Sequence, residues 1–145
     1  MHWSALAMGL AAAAVLHPAA PQDPAPPPQA VMVHVGDLDE VMARSAPGAR
    51  NATASIEIWI HDGQHRPVSR ARVEASWAGA VRGRTTCETD IRGFCLMTSR
   101  SFPNEMGARV TMTITKVEGP EMQFDEDASH DPDKDSDGKR ISVSL

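Results

Sequence analysis

The sequence predicts an all-β domain, a β-sandwich of about seven strands, and three observations carry that reading. Apolar residues recur at every second position in a series of short runs. Glycine, proline and aspartate punctuate the runs. No long amphipathic helix or βαβ pattern competes with them. Small barrels share these signals and stay open as an alternative.

The elements follow in chain order. Val31, Val33 and Val35 share one face of a short strand, with Met32 and His34 on the other, and Gly36-Asp37-Leu38 ends it. Asp39 to Ser45 fits a helical turn that Pro47 and Gly48 stop. The strongest strand is Thr53 to His61. Ile56, Ile58 and Ile60 form its inner face, opposite Glu57, Trp59 and His61. Ala71, Val73, Ala75 and Trp77 then point inward from a second strong strand, and Trp77 is the best candidate for the core centre. Arg84–Glu88 and Phe94–Ser99 read as a hairpin around Thr89–Gly93. From Arg109 to Lys116, Val110, Met112 and Ile114 oppose threonines, and Val117 breaks the phase as a bulge or strand end does. Met122 with Phe124, and Ile141, Val143 and Leu145, supply the last strands.

Residues 1–20 have the form of a signal peptide. Ala5 to Leu16 is apolar and alanine-rich, small residues follow at Ala19 and Ala20, and the run is short for a membrane span. Residues 21–30, with Pro21, Pro24, Pro26, Pro27 and Pro28, form a stiff proline-rich linker. Residues 31–145 are the β-sandwich domain. These features place the protein outside the cytoplasm, secreted, periplasmic or at a bacterial cell surface, with no membrane insertion once the signal is cleaved. The formal charge is -5, and nine carboxylates between Glu118 and Asp137 face one Lys134. Such a field repels phosphate backbones, which argues against nucleic-acid binding and for cations or a basic partner. With no tyrosine, three tryptophans and three phenylalanines, a broad aromatic platform for carbohydrate is not expected.

Cys87 and Cys95 are the two cysteines, and their separation suits facing strands of a hairpin. In an oxidising compartment such a pair forms a structural disulfide, restraining the unfolded chain by roughly 2–3 kcal/mol. The spacing is not the C-x-x-C of a redox pair, and no further soft ligands stand nearby for a metal site.

Several segments carry a family resemblance. They are Val33-His34-Val35-Gly36-Asp37-Leu38, His61-Asp62 with Pro67-Val68 and Ala71-Arg72-Val73, Trp77, Cys87-Glu88-Thr89-Asp90 to Gly93-Phe94-Cys95, and His130-Asp131-Pro132-Asp133 with Asp135-Ser136-Asp137-Gly138. Through them the chain resembles a bacterial secreted immunoglobulin-like β-sandwich module, found alone or at the C-terminus of exported multidomain proteins, secreted peptidases among them. The turn from Asp62 to Val73 also looks like that of invasin-like and carboxypeptidase-regulatory-like sandwiches. The resemblance implies an immunoglobulin-like fold and an extracytoplasmic setting, without a defined activity.

The candidate site is the acidic run. Asp131, Asp133, Asp135 and Asp137 alternate before Gly138, a spacing that wraps a hard cation such as calcium in oxygen ligands. An EF-hand is not expected, because Ser144 stands where the bidentate glutamate belongs and no helices flank the loop. A solvated acidic loop is the competing reading, in which screening removes the repulsion. His61, Asp62 and His65 offer zinc or copper donors at a strand end, but their offset does not align side chains along a strand. His34 and His130 lie too far away in sequence to be added to them. No nucleophile elbow, phosphate-binding glycine loop or H-E-x-x-H helix is present, and Ser99, Ser101 and Ser142 lack a histidine–aspartate pairing, so an enzyme is not expected. Two functions follow. One is a secreted, non-enzymatic structural, adhesion or protein-interaction module that contacts a protein, a surface or its own copies through open strand edges. The alternative is a soluble extracytoplasmic protein that binds calcium or another ligand through the 131–138 loop.

Overall fold

The structure is a computed structural model that describes residues 28–41 and 48–145. The expected signal peptide, most of the linker and the end of the expected helical turn lie outside these residues. Within the described residues the chain is all-β, with strands β1 (Val31–Glu40), β2 (Asn51–Ala52), β3 (Ser55–Asp62), β4 (Arg72–Gly79), β5 (Gly83–Glu88), β6 (Phe94–Thr98), β7 (Phe102–Pro103), β8 (Arg109–Glu118), β9 (Met122–Phe124) and β10 (Arg140–Ser144). They build a four-stranded sheet of order β6-β3-β1-β9, a second of order β10-β8-β4-β5, and a small β2–β7 ladder. The two large sheets hold eight strands against the seven or so expected, and the ladder adds two more, which at two residues each are too short to show a period in the sequence.

The inward faces of both larger sheets feed one apolar core. Val33, Val35, Leu38, Ile56, Ile58 and Ile60 come from one sheet, and Val73, Ala75, Trp77, Val110, Met112, Ile114, Ile141 and Val143 from the other. Trp77 is buried, as its position in the alternation predicts, and its indole Nε1 donates to Thr85 Oγ1 at 2.7 Å. That bond meets the indole's one polar requirement. The phase break in β8 is a bulge. Glu74 pairs with Lys116 but Ala75 pairs with Ile114, leaving Thr115 as the extra residue.

Two expectations are corrected. Gly36 does not end β1; it is skipped in the pairing, between Val35↔Ile60 and Asp37↔Trp59. The bulge absorbs one residue, so the strand runs on and Asp39 and Glu40 are strand rather than helical turn. β5 and β6 are not a hairpin of one sheet. β5 pairs with β4 and β6 with β3, so the chain crosses between sheets at Thr89–Gly93. Buried Thr89 fixes the crossing, its hydroxyl accepting from Ala71 N and donating to Val68 O. Gly93, at φ 75°, lets the backbone close on Ile60 O, where a Cβ would lie 2.6 Å away. The disulfide Cys87–Cys95 is formed, and it ties the β5 edge of one sheet to the β6 edge of the other.

Candidate metal centre

The outer face of β1 and β3 positions the candidate site. Alternation with one bulge turns His34, Asp37 and Asp39 away from the core, while Val33, Val35 and Leu38 point into it. His61 stands opposite His34 across the β1–β3 pair. The chain after β9 then roofs this face. β9 runs parallel to β1, and the segment beyond it stays tied to the same strand. Asp125 N donates to Val33 O at 2.8 Å, Val35 N to Ser129 Oγ at 3.2 Å, and His130 N to Val35 O at 3.1 Å. Lys139 Nζ closes the base of the loop on Glu126 Oε2 at 2.7 Å.

Asp131 is the organiser of the acidic loop. Its Oδ1 accepts from the amides of Asp133 and Lys134, each at 3.2 Å, and its Oδ2 accepts from Ser136 N. Lys134, at φ 71°, supplies the left-handed residue of the turn. The curl brings loop carboxylates over β1. Asp131 and Asp133 join Asp37, and Asp133 and Asp135 join Asp39, with ligand oxygens within 4.8 Å in each group. Asp133 is common to both groups, so five carboxylates from two remote stretches of chain line one bowl. Asp137 is turned elsewhere; its Oδ1 accepts from Lys139 N at 3.0 Å and Arg140 N at 2.6 Å, fixing the entry to β10.

The electrostatics of the bowl are those of crowded anions. Burial and the carboxylates of Asp133, Asp131, Asp39 and Asp37 push Asp135 up to about 6. Asp37 is raised by burial and then by Asp39, Asp131 and Asp133. Asp133 is raised chiefly by a side-chain hydrogen bond with Asp131. Asp131 itself falls to about 2: burial opposes the shift, but hydrogen bonds from Ser136, Asp133 and Lys134 outweigh it.

A second group of donors lies on the same face. The ring centroids of His34, His65 and His130 are 5.2 to 5.5 Å apart, and one nitrogen from each lies within 4.8 Å of the others. His61 flanks the trio at 6.2 Å from His34 and 6.4 Å from His65. Asp62 builds the turn that carries His65. Its Oδ1 accepts from Gln64 N and Arg66 N, and Arg66 Nε donates to its Oδ2 at 2.8 Å. Mainly through the Arg66 bond, Asp62 is held down to about 2. His34 and His61 are both lowered, first by burial and then by the neighbouring imidazoles. Nε2 of His34 and Nδ1 of His61 are buried without a hydrogen-bond partner.

Of the loop aspartates the sequence singled out, Asp133 thus meets Asp131 in one group and Asp135 in the other, and Asp137 belongs to neither. Sequence reasoning missed Asp37 and Asp39 as their partners, and the union of His34 and His130 with His65. The available signal was in β1, where His34, Gly36, Asp37, Asp39 and Glu40 break up an otherwise apolar run. Ser99 and Ser142 have structural partners: Ser99 Oγ accepts from Ala54 N and donates to Arg100 O, and Ser142 Oγ lies 2.9 Å from Thr111 Oγ1. The outward Trp59 packs on Phe94, centroids 5.0 Å apart, with the Arg92 guanidinium over Phe94. Within the described residues, then, histidine and aspartate donors cluster at spacings that a divalent ion can use. No family model matches the chain, and neither the curated proteins nor the solved structures hold a match to it.

Proposed function

We propose that the protein is an extracytoplasmic, non-enzymatic β-sandwich of the immunoglobulin-like kind that binds calcium in the bowl over β1. One observation carries this reading: the 131–135 turn is folded so that its carboxylates meet Asp37 and Asp39 from a strand almost a hundred residues earlier. A merely solvated loop has no reason to bring its charges onto two more of the same sign. Calcium accepts six to eight oxygens in a flexible shell, which five carboxylates and water can supply. Magnesium demands a stricter octahedron and gives up its water reluctantly. The raised carboxyls of Asp37, Asp133 and Asp135 are the cost of the arrangement without a cation, and binding would remove it. The structural or adhesion role that the family resemblance suggests fits the same site, since an ion there would pin the roof of one sheet, but no single observation favours it.

The test is calorimetric titration of the full chain with calcium, beside thermal melts with calcium and with excess chelator. Saturable binding and a higher melting temperature in calcium are expected. At ligand 100-fold above Kd, linkage amounts to about 2.7 kcal/mol. Both effects should disappear in Asp133→Asn/Asp135→Asn. Identical melts in calcium and chelator, with no binding heat, would end this reading.

A further inference from the structure

We propose that His34, His65 and His130 form a second site, for a divalent transition-metal ion of the zinc and copper class. The proposal is independent of the calcium reading, because its donors are nitrogens, which calcium avoids and zinc and copper prefer.

The first argument is the state of the donors. His34 is 4 % exposed, and its Nε2 has no partner. A buried polar atom left unpaired costs about 1–3 kcal/mol. A histidine that served only to pack would meet a donor or acceptor there. Instead three more imidazoles stand around it, with ring centroids 5.2 to 6.2 Å away. His130 is already set up to bind. A carbonyl can only accept, so His130 Nδ1 must donate to Ala128 O at 3.1 Å. In the neutral ring the other nitrogen, Nε2, then carries the lone pair. A backbone carbonyl orienting a histidine through its second nitrogen is the usual support for a metal ligand.

The second argument is how the fold makes room. Gly36 sits where a Cβ would fall 2.1 Å from His61 Nδ1, so the imidazole layer lies against bare backbone at the β1 bulge. Gly138, at φ 84°, packs on the backbone of Ser129 and His130, where a Cβ would lie 2.8 Å from His130 N. His65 is presented from the exposed turn that Asp62 organises. Its own backbone is left-handed, at φ 58°. Three elements remote in sequence therefore deliver one imidazole each. Nitrogens around a tetrahedral zinc stand about 3.3 Å apart, given Zn–N bonds of about 2.0–2.1 Å. The present limit of 4.8 Å needs only a small inward turn, available to exposed His65 and loop-borne His130. Three protein nitrogens leave a fourth position for water or for His61. Asp125 and Asp62 supply negative charge beside His34 and His61.

The experiment uses the full chain, stripped of metal and titrated with zinc by calorimetry and with cobalt(II) by visible absorption at neutral pH. One equivalent of each is expected, with a cobalt ligand-field band. His65→Ala and His130→Ala should each lower zinc affinity by about 10-fold or more. His65 is on an exposed turn, so a wild-type circular dichroism spectrum and melt will establish that His65→Ala folds. Asp39→Asn/Asp135→Asn should bind zinc as wild type does. The proposal is overturned if no saturable zinc or cobalt binding is found, if folded His65→Ala and His130→Ala bind like wild type, or if zinc binding is lost only in the aspartate variant.

Discussion

The two large sheets present outer faces built by the same alternation yet put to different use. On β4 and β8 the outward residues are Arg72, Glu74, Ser76, Thr111, Thr113 and Thr115, and they face solvent or one another across strands. Arg84 pairs with Glu74 at 3.7 Å, and Thr111 with Ser142 at 2.9 Å. Exposed pairs of this kind contribute about 0–1 kcal/mol. On β1 and β3 the outward residues include His34, Asp37, Asp39, Ser55, Glu57, Trp59 and His61, and the 125–139 segment roofs part of them. There Nε2 of His34 is buried without a partner, burial and neighbouring carboxylates raise Asp37 and Asp135, and a side-chain hydrogen bond with Asp131 raises Asp133. The difference teaches that alternation specifies a sheet face, but a covering loop decides whether that face is a solvated surface or a site.

The comparison can be broken at several points. The largest effect belongs to the core both faces share. Ile58 is fully buried, and Ile58→Ala should lower unfolding free energy by about 2–5 kcal/mol in urea denaturation. Breaking the tie between sheet edges with Cys87→Ser/Cys95→Ser should cost about 2–4 kcal/mol by the same measurement, with the disulfide closing a short loop at the low end. Gly36→Ala drives a methyl into the His61 ring and should cost about 1–3 kcal/mol. It should also weaken zinc binding. By contrast, Thr113→Ala on the solvated face should stay within about 0.5 kcal/mol and leave both metals unaffected.

Acid gives a smaller and more specific effect. Asp62 is held down to about 2, below an unfolded carboxyl's ordinary value of 3.8. Its contribution is therefore complete above roughly pH 4 and is lost as pH falls through its folded value. Asp62→Asn should flatten the decline in melting temperature over that acid range. A melting profile parallel to wild type between pH 4 and about 2 would show that the Arg66 bond does not stabilise the turn.

The strands were legible in the sequence wherever one face is buried. The isoleucines of β3, the Val73–Trp77 face of β4 and the valine–methionine–isoleucine face of β8 all lie in the core as their period demands. The phase break at Val117 was legible too, as either a bulge or a strand end, and the pairing of β4 with β8 makes it a bulge. Gly36 concealed the length of β1, since a glycine followed by aspartate signals a turn as readily as a bulge. The Cys87–Cys95 pair was legible as a bond, but not as a link between sheets: eight residues can turn within a sheet or cross between two. At the site, the loop aspartates were visible because they are adjacent in sequence. Asp37, Asp39, His34 and His130 were not, because their meeting depends on the parallel pairing of β9 with β1, which no local pattern encodes.

The account turns on whether β1 belongs to the cation site, and calcium titration of Asp37→Asn/Asp39→Asn by calorimetry tests this most directly. The variant leaves every residue of the 131–138 loop in place. A folded variant that has lost at least about 10-fold in calcium affinity is the predicted result, since each missing charge removes about a pK unit or more of interaction in such a cluster. Wild-type affinity would mean that the loop binds calcium by itself, and would contradict a site built between strand and loop.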